Sequence, residues 1–140
     1  MDPKRSPQEQ ELHDLAVRRI CRARFAGSPA WEAYTNPGDT ERYALVLPDG
    51  ARLYPDIIAR RKGAHISTYL AEVETESTVT ERESEQWARF AALGRRFLLF
   101  VPAGSLLRAR ELCQQRKVNV HGYRVYELTS FWVRIREFRV

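Results

Sequence analysis

Cysteine, lysine and long apolar runs are all scarce in this sequence, and each scarcity excludes something. The two cysteines, Cys21 and Cys113, stand far apart in segments that read as helical, with no C-x-x-C spacing. Neither a zinc ribbon nor a redox motif is indicated, and free thiols in a cytoplasmic protein are the expectation. There is no apolar N-terminal signal region and no apolar run long enough for a membrane span, so no membrane partner is expected. His13, His65 and His121 are scattered without metal-ligand spacing and read as ordinary structural histidines. Ser67, Ser84 and Cys113 have no base nearby in sequence, which leaves nucleophilic catalysis unsupported. Internal repeats and low-complexity tracts are absent as well.

Lysine occurs only at Lys4, Lys62 and Lys117 among 23 basic residues, and arginine supplies the rest of a net charge of +5. The arginine side chain presents a planar fork of donors that suits phosphate. An anionic partner is therefore indicated, DNA or another nucleic acid first, although a solubilising surface would account for the charge equally well. With 140 residues, 44% hydrophobic and 29% charged, the chain has the length and composition of one globular domain.

Met1 to Pro7 is polar with two prolines and reads as a loose arm, leaving residues 8–140 as the domain. Leu12, Leu15, Ala16 and Ile20 recur at helical spacing and predict a helix over 8–24. Ser28 to Asp39 is loop-like, with Pro29, Pro37 and Gly38. Tyr43–Leu47 and Ala51–Arg60 read as strands around a Pro48-Asp49-Gly50 turn, and His65–Glu74 as a third strand. Thr80 with Glu83 predicts a capping box, and Gly94 a helix end. "RRFLLFVP" is a strand apolar enough to be covered on both faces. A helix over Leu106–Arg116 and a strand over Val118–Glu127 follow. "FWVRIREFRV" is either a last strand or an aromatic tail docked on the core. The order predicts an α/β fold, a single domain with a mixed central sheet and helices on both faces.

Acidic residues interrupt two of these apolar strands: Asp56 in one, Glu72 and Glu74 in the next. A hairpin centred near Gly63-Ala64 would set Asp56 opposite Glu72, about 5 Å apart on one face, and Glu74 two residues on shares that face. Opposed like charges destabilise unless a cation lies between them. An all-oxygen ligand set suits Mg²⁺, Mn²⁺ or Ca²⁺. The bland reading is a turn-capping aspartate and solvated strand-end glutamates, and a one-residue slip of register would scatter the group.

"PD" at Pro55-Asp56 followed by "ExE" at Glu72-Val73-Glu74 resembles the PD-(D/E)xK nuclease superfamily, which includes restriction endonucleases, Holliday-junction resolvases and RecB-type nucleases. The resemblance covers roughly residues 8–127 and implies a restriction endonuclease-like α-β-β-β-α-β core, a divalent-metal-dependent nuclease acting on DNA phosphodiester bonds, and Mg or Mn as cofactor. It implies that Asp56 and Glu72 bind metal, with the Val73 carbonyl as a further ligand and Glu9, or in competition Glu11, as a helix-borne acid. Gln86 and Phe90 resemble a Q-x-x-x-Y motif, with phenylalanine in the tyrosine position. Gln86 would then position water or phosphate, while Trp87 and Phe90 read first as core.

The chain departs from the pattern at Glu74, where the family usually has lysine. Glu74 would then be a ligand or a general base. Lys62 lies six residues from Asp56, roughly 20 Å along a strand, and is a poor substitute. Arg82 or Arg89 would supply positive charge instead. Arg60, Arg61 and Lys62 are candidates for gripping a phosphate backbone, or equally a solvated hairpin tip. The alternative function is a catalytically inactive nucleic-acid-binding or assembly module on the same fold. Two cuts in a duplex need two sites, so a homodimer is one expected arrangement, with no interface legible.

Overall fold

Ser6 and Pro7 start the first helix. In a computed structural model describing residues 5–38, 41–63 and 68–138, the Ser6 hydroxyl accepts from the Glu9 N–H at 3.1 Å, and Pro7 occupies the first helical turn, where its missing N–H costs nothing. Helix α1, Pro7–Cys21, buries His13, Ala16, Val17, Ile20 and Cys21, one stripe at helical spacing. A widened turn, Arg22–Ala26, prolongs it. Helix α2, Glu81–Ala91, opens with the Thr80 hydroxyl accepting from the Glu83 N–H at 3.2 Å. Gly94, at φ 74°, takes the left-handed conformation that lets the chain turn away behind it. Helix α3 is Leu106–Arg116.

Eight strands occur among the described residues: β1 (Trp31–Thr35), β2 (Leu45–Val46), β3 (Arg52–Leu53), β4 (Ile57–Arg61), β5 (Thr68–Val73), β6 (Arg96–Pro102), β7 (Gly122–Leu128) and β8 (Val133–Phe138). Six form a mixed sheet in the order β1-β4-β5-β6-β7-β8. β5, β6 and β7 run parallel, and the remaining pairs are antiparallel. The connections β5–α2–β6 and β6–α3–β7 each advance one strand, so two crossovers of the same hand leave both helices on one face. Leu70, Leu99, Val101 and Val125 pack there against Trp87, Phe90 and Leu112. On the other face Ile57, Ala71, Val73 and Phe100 pack against Ala16, Val17 and Ile20 of α1. The fold is a mixed α/β single domain with helices on both faces. No helix is long and apolar enough to cross a membrane among the described residues.

Three expectations change. Ser28–Asp39 is not all loop: Trp31–Thr35 is the edge strand β1, paired with β4. Its exposed–half-buried alternation, with Glu32 and Tyr34 outward, is too weak a pattern between prolines to stand out in sequence. The segment 51–60 is not one strand, because Pro55 lacks an N–H and breaks it into β3 and β4; β2 and β3 form a separate ribbon. The arm ends earlier than expected, since the helix starts at Pro7 and Arg5 is bonded to the body of the protein, while residues 1–4 lie outside the described part. The final segment resolves as strand β8, antiparallel to β7.

Asn36 ties the β1–β4 end together. Its side-chain amide donates to the Tyr43 and Pro55 carbonyls, both at 2.8 Å, and accepts from the Arg42 and Tyr43 N–H groups at 3.0 and 2.7 Å. Its backbone N–H reaches the Asp56 carbonyl at 3.0 Å. Asn36→Ala would leave buried donors and acceptors unpaired, and we expect a loss of about 1–3 kcal/mol in denaturant unfolding.

Candidate functional site

The β4–β5 hairpin builds the site. Ile57 pairs with Ala71 and Arg60 with Thr68, each pair symmetric about residue 64, so Asp56 and Glu72 meet at the hairpin's open end. Residues 64–67 of the turn, with His65, lie outside the described residues. Ile57, Ala71 and Val73 face α1, so the alternation along β5 sends Glu72 and Glu74 to the α2 side, while Asp56, just ahead of β4, sits at the sheet's end within reach of both His13 of α1 and the cavity lined by α2. The Asp56 N–H donates to Glu72 Oε1 at 3.1 Å, and the Val73 N–H donates to Asp56 Oδ2 at 2.8 Å. Glu74 extends the β5–β6 ladder through its N–H to the Phe100 carbonyl at 2.8 Å. Its Oε1 accepts from the Trp87 indole N–H at 3.0 Å. Glu83, in the first turn of α2, completes the group: oxygens of Glu72, Glu74 and Glu83 all lie within 4.8 Å of one another.

These carboxylates are poorly solvated. Glu74 is only 1% exposed, and its Oε2 is buried without a hydrogen bond. Burial, then repulsion from Glu83 and Asp56, pushes Glu74 up to about 8. Burial, with the charges of Asp56, Glu74 and Glu83, holds Glu72 well above the ordinary carboxylate range. Two basic side chains, Arg5 and His13, flank the group. Arg5 comes within 3.6 Å of Glu74 Oε2 while donating to Thr75 Oγ1 at 3.1 Å, Thr78 Oγ1 at 3.3 Å and the Val73 carbonyl at 3.4 Å. The buried His13 ring sits between Asp14 Oδ1, 3.0 Å from Nδ1, and Asp56 Oδ2, 3.3 Å from Nε2. Burial alone would lower the His13 pKa, but the hydrogen bond and charge of Asp56, aided by Asp14, leave it raised.

A polar cavity of about 420 Å³ opens beside Asp56, and Gln86, Arg89, Arg52 and Tyr54 line it. Gln86 therefore faces the site rather than open solvent. Phe90 does not: it is fully buried and packs against Phe97, with ring centroids 6.2 Å apart. Arg82 is exposed on α2 and does not line this cavity. Arg60, Arg61 and Lys62 gather with Glu32 at the far end of β4. Glu9 is taken up by the loop after β5, its Oε1 accepting from the Ser77 hydroxyl at 2.6 Å and the Ser77 N–H at 3.4 Å. Partial burial would raise the Glu9 pKa, but the bonds from Ser77 and Thr75 outweigh it and lower it. Glu11 is exposed.

Sequence reasoning missed Glu83, His13, Arg5 and Arg52. Glu83 was legible only as a cap residue, although a carboxylate in a helix's first turn is also favoured by the positive end of the dipole. His13 shares the buried stripe of α1 with Ala16, Val17 and Ile20, which is the signal that could have turned it toward the sheet. Nothing in sequence joins Arg5 to a strand nearly 70 residues away.

The chain matches no protein-family model and no curated protein. Hard oxygen donors at short mutual distance, one of them buried without a hydrogen bond, fit a small divalent cation better than a thiophilic metal.

Proposed function

We propose that the protein is a divalent-metal-dependent nuclease that hydrolyses DNA phosphodiester bonds on a restriction endonuclease-like core. The observation that carries this reading is the convergence of Asp56, Glu72, Glu74 and Glu83 beside a cavity that also holds Gln86, Arg52 and Arg89. Glu72, Glu74 and Glu83 would hold Mg²⁺ or Mn²⁺, with Asp56 on its cavity side. The cation would supply charge that offsets the carboxylates and polarises the scissile phosphate. Arg52 and Arg89 bind the phosphate backbone in the cavity, and Gln86 orients the group that attacks it. Asp56 is held in place by the Val73 N–H and by His13. Arg60, Arg61 and Lys62, at the far end of β4, reach a neighbouring stretch of the nucleic acid rather than the reacting phosphate.

Incubation with supercoiled plasmid and Mn²⁺ or Mg²⁺ tests the proposal: nicked or linear product is expected, and EDTA abolishes it. Intact plasmid under both metals overturns it. One observation favours the second reading, a non-catalytic nucleic-acid-binding module. Arg5 is a built-in cation at Glu74, the position where PD-(D/E)xK nucleases usually have a lysine. Under either reading, Arg52→Ala combined with Arg89→Ala weakens DNA binding across sequences. We expect the slope of log affinity against log salt to fall by about 1 for each phosphate no longer neutralised, measured by fluorescence anisotropy.

A further inference from the structure

The turn between β7 and β8 presents Phe131 with 91% of its surface exposed and Trp132 with 42%. An apolar side chain left so open on a pliant loop would mean little, but this turn is braced. Arg19 of α1 donates to the Thr129 carbonyl at 2.8 Å, the Trp132 carbonyl at 3.0 Å and the Ser130 carbonyl at 3.4 Å. Thr129 closes the turn from inside: its hydroxyl accepts from the Trp132 N–H at 2.9 Å, and its N–H donates to the Trp132 carbonyl at 2.8 Å. The aromatic tip is held outward by its own supports.

Beside it lies a cavity of about 690 Å³, larger than the one at Asp56 and different in kind. Leu12, Pro102, Ala103, Tyr126 and Leu128 give it an apolar lining, and Leu12 is 53% exposed. Leu128 lines the cavity and Thr129 begins the turn, so the chain passes directly from the cavity's rim into the tip. Acids stand around the cavity at Glu9, Glu76 and Glu127, whereas the tip is neutral and backed by Arg19, with Arg134 following on β8.

We propose that this surface is a self-association site, in which Phe131 and Trp132 of one copy enter the apolar cavity of a second copy of this chain. A two-fold axis between tip and cavity makes the contact reciprocal, because each copy then gives one tip and receives one. It places each acidic rim against the other copy's basic support, a charge complement that a nucleic acid would not offer to the same rim. A preformed turn loses little freedom on docking, and aromatic anchors seated in pockets are the side chains that dominate such contacts. The inference does not depend on the nuclease reading.

Sedimentation equilibrium of the full chain, from micromolar to millimolar concentration, tests it. A reversible monomer–dimer equilibrium is expected for the wild type. Phe131→Asp on the donor side and Ala103→Trp on the receiving side should each weaken it about tenfold or more. Leu107→Asp, which removes another largely exposed apolar side chain, from α3, should leave it unchanged. Since Phe131 is so exposed, thermal unfolding of Phe131→Asp should match that of the wild type, separating impaired association from impaired folding. A wild type that stays monomeric throughout, a Phe131→Asp variant that dimerises as the wild type does, or a Leu107→Asp variant that is equally impaired would each overturn the proposal.

Discussion

Asp56→Asn should cut Mn²⁺-dependent cleavage by about 10²–10³-fold or more while leaving the fold intact. The amide oxygen of asparagine still accepts from the Val73 N–H, the 2.8 Å bond that fixes the end of the hairpin. What disappears is the charge that faces the cavity and the anion that His13 supports. Metal, phosphate and Asp56 act as a charge-balanced set, so removing one negative group disturbs the transition state more than the resting structure. Product counted per unit time on plasmid, with circular dichroism on the same samples, separates the two effects. A variant that cleaves at the wild-type rate would remove Asp56 from the site.

The second large effect is on stability. Without added divalent metal, stability should fall by about 3–5 kcal/mol between pH 5 and pH 8.5, because Glu74 has been pushed up to about 8 from the ordinary 4.5. The folded chain keeps the Glu74 proton over a range in which the unfolded chain has already released it. The stabilisation is complete below the unfolded value and is lost as pH rises through the folded one. Glu72 is shifted the same way by the same causes, and the raised His13 adds to the decline above its ordinary 6.5. Glu9, shifted down, acts in the opposite sense, and only as pH falls below the ordinary carboxylate value. Saturating Mn²⁺ at pH 8 should reverse the loss, since a bound cation stabilises the folded state by mass action and favours the charged carboxylates. Glu74→Gln should flatten the metal-free profile, its amide oxygen still accepting from Trp87. Urea unfolding at a series of pH values reads all three, and a wild-type profile that rises from pH 5 to 8.5 would contradict the burial of these acids.

The hairpin was legible because a turn centred near Gly63-Ala64 joins two apolar strands that carry acids, and pairing about residue 64 sets Asp56 directly opposite Glu72. The parallel half of the sheet was legible for a similar reason: "RRFLLFVP" between two helical patterns has no solvated face. β1 was hidden by its neighbours Pro29 and Pro37 and by an outward Glu32 and Tyr34, so its membership of the sheet is decided by β4 rather than by its own residues. The site divides along the same line. Acids carried on paired strands follow from local alternation. Glu83, His13 and Arg5 arrive from helices and from the segment ahead of α1, whose placement depends on how those elements pack over the sheet, and no short-range pattern records that. Gln86 sits between the two cases: α2 buries Ser84, Trp87 and Phe90 and so turns Gln86 toward the rim of the cavity.

The central claim is that Glu72 and Glu74 of the β5 end and Glu83 of the following helix share one divalent cation, with Asp56 beside it. Titration calorimetry of Mn²⁺ into the metal-free chain at pH 7.5 tests it without any knowledge of substrate. One site per chain is expected in the wild type, with binding weakened beyond detection in Glu72→Gln and Glu83→Gln and protons released as the carboxylates ionise. Absence of binding in the wild type, or equal binding in the wild type and both variants, would contradict it.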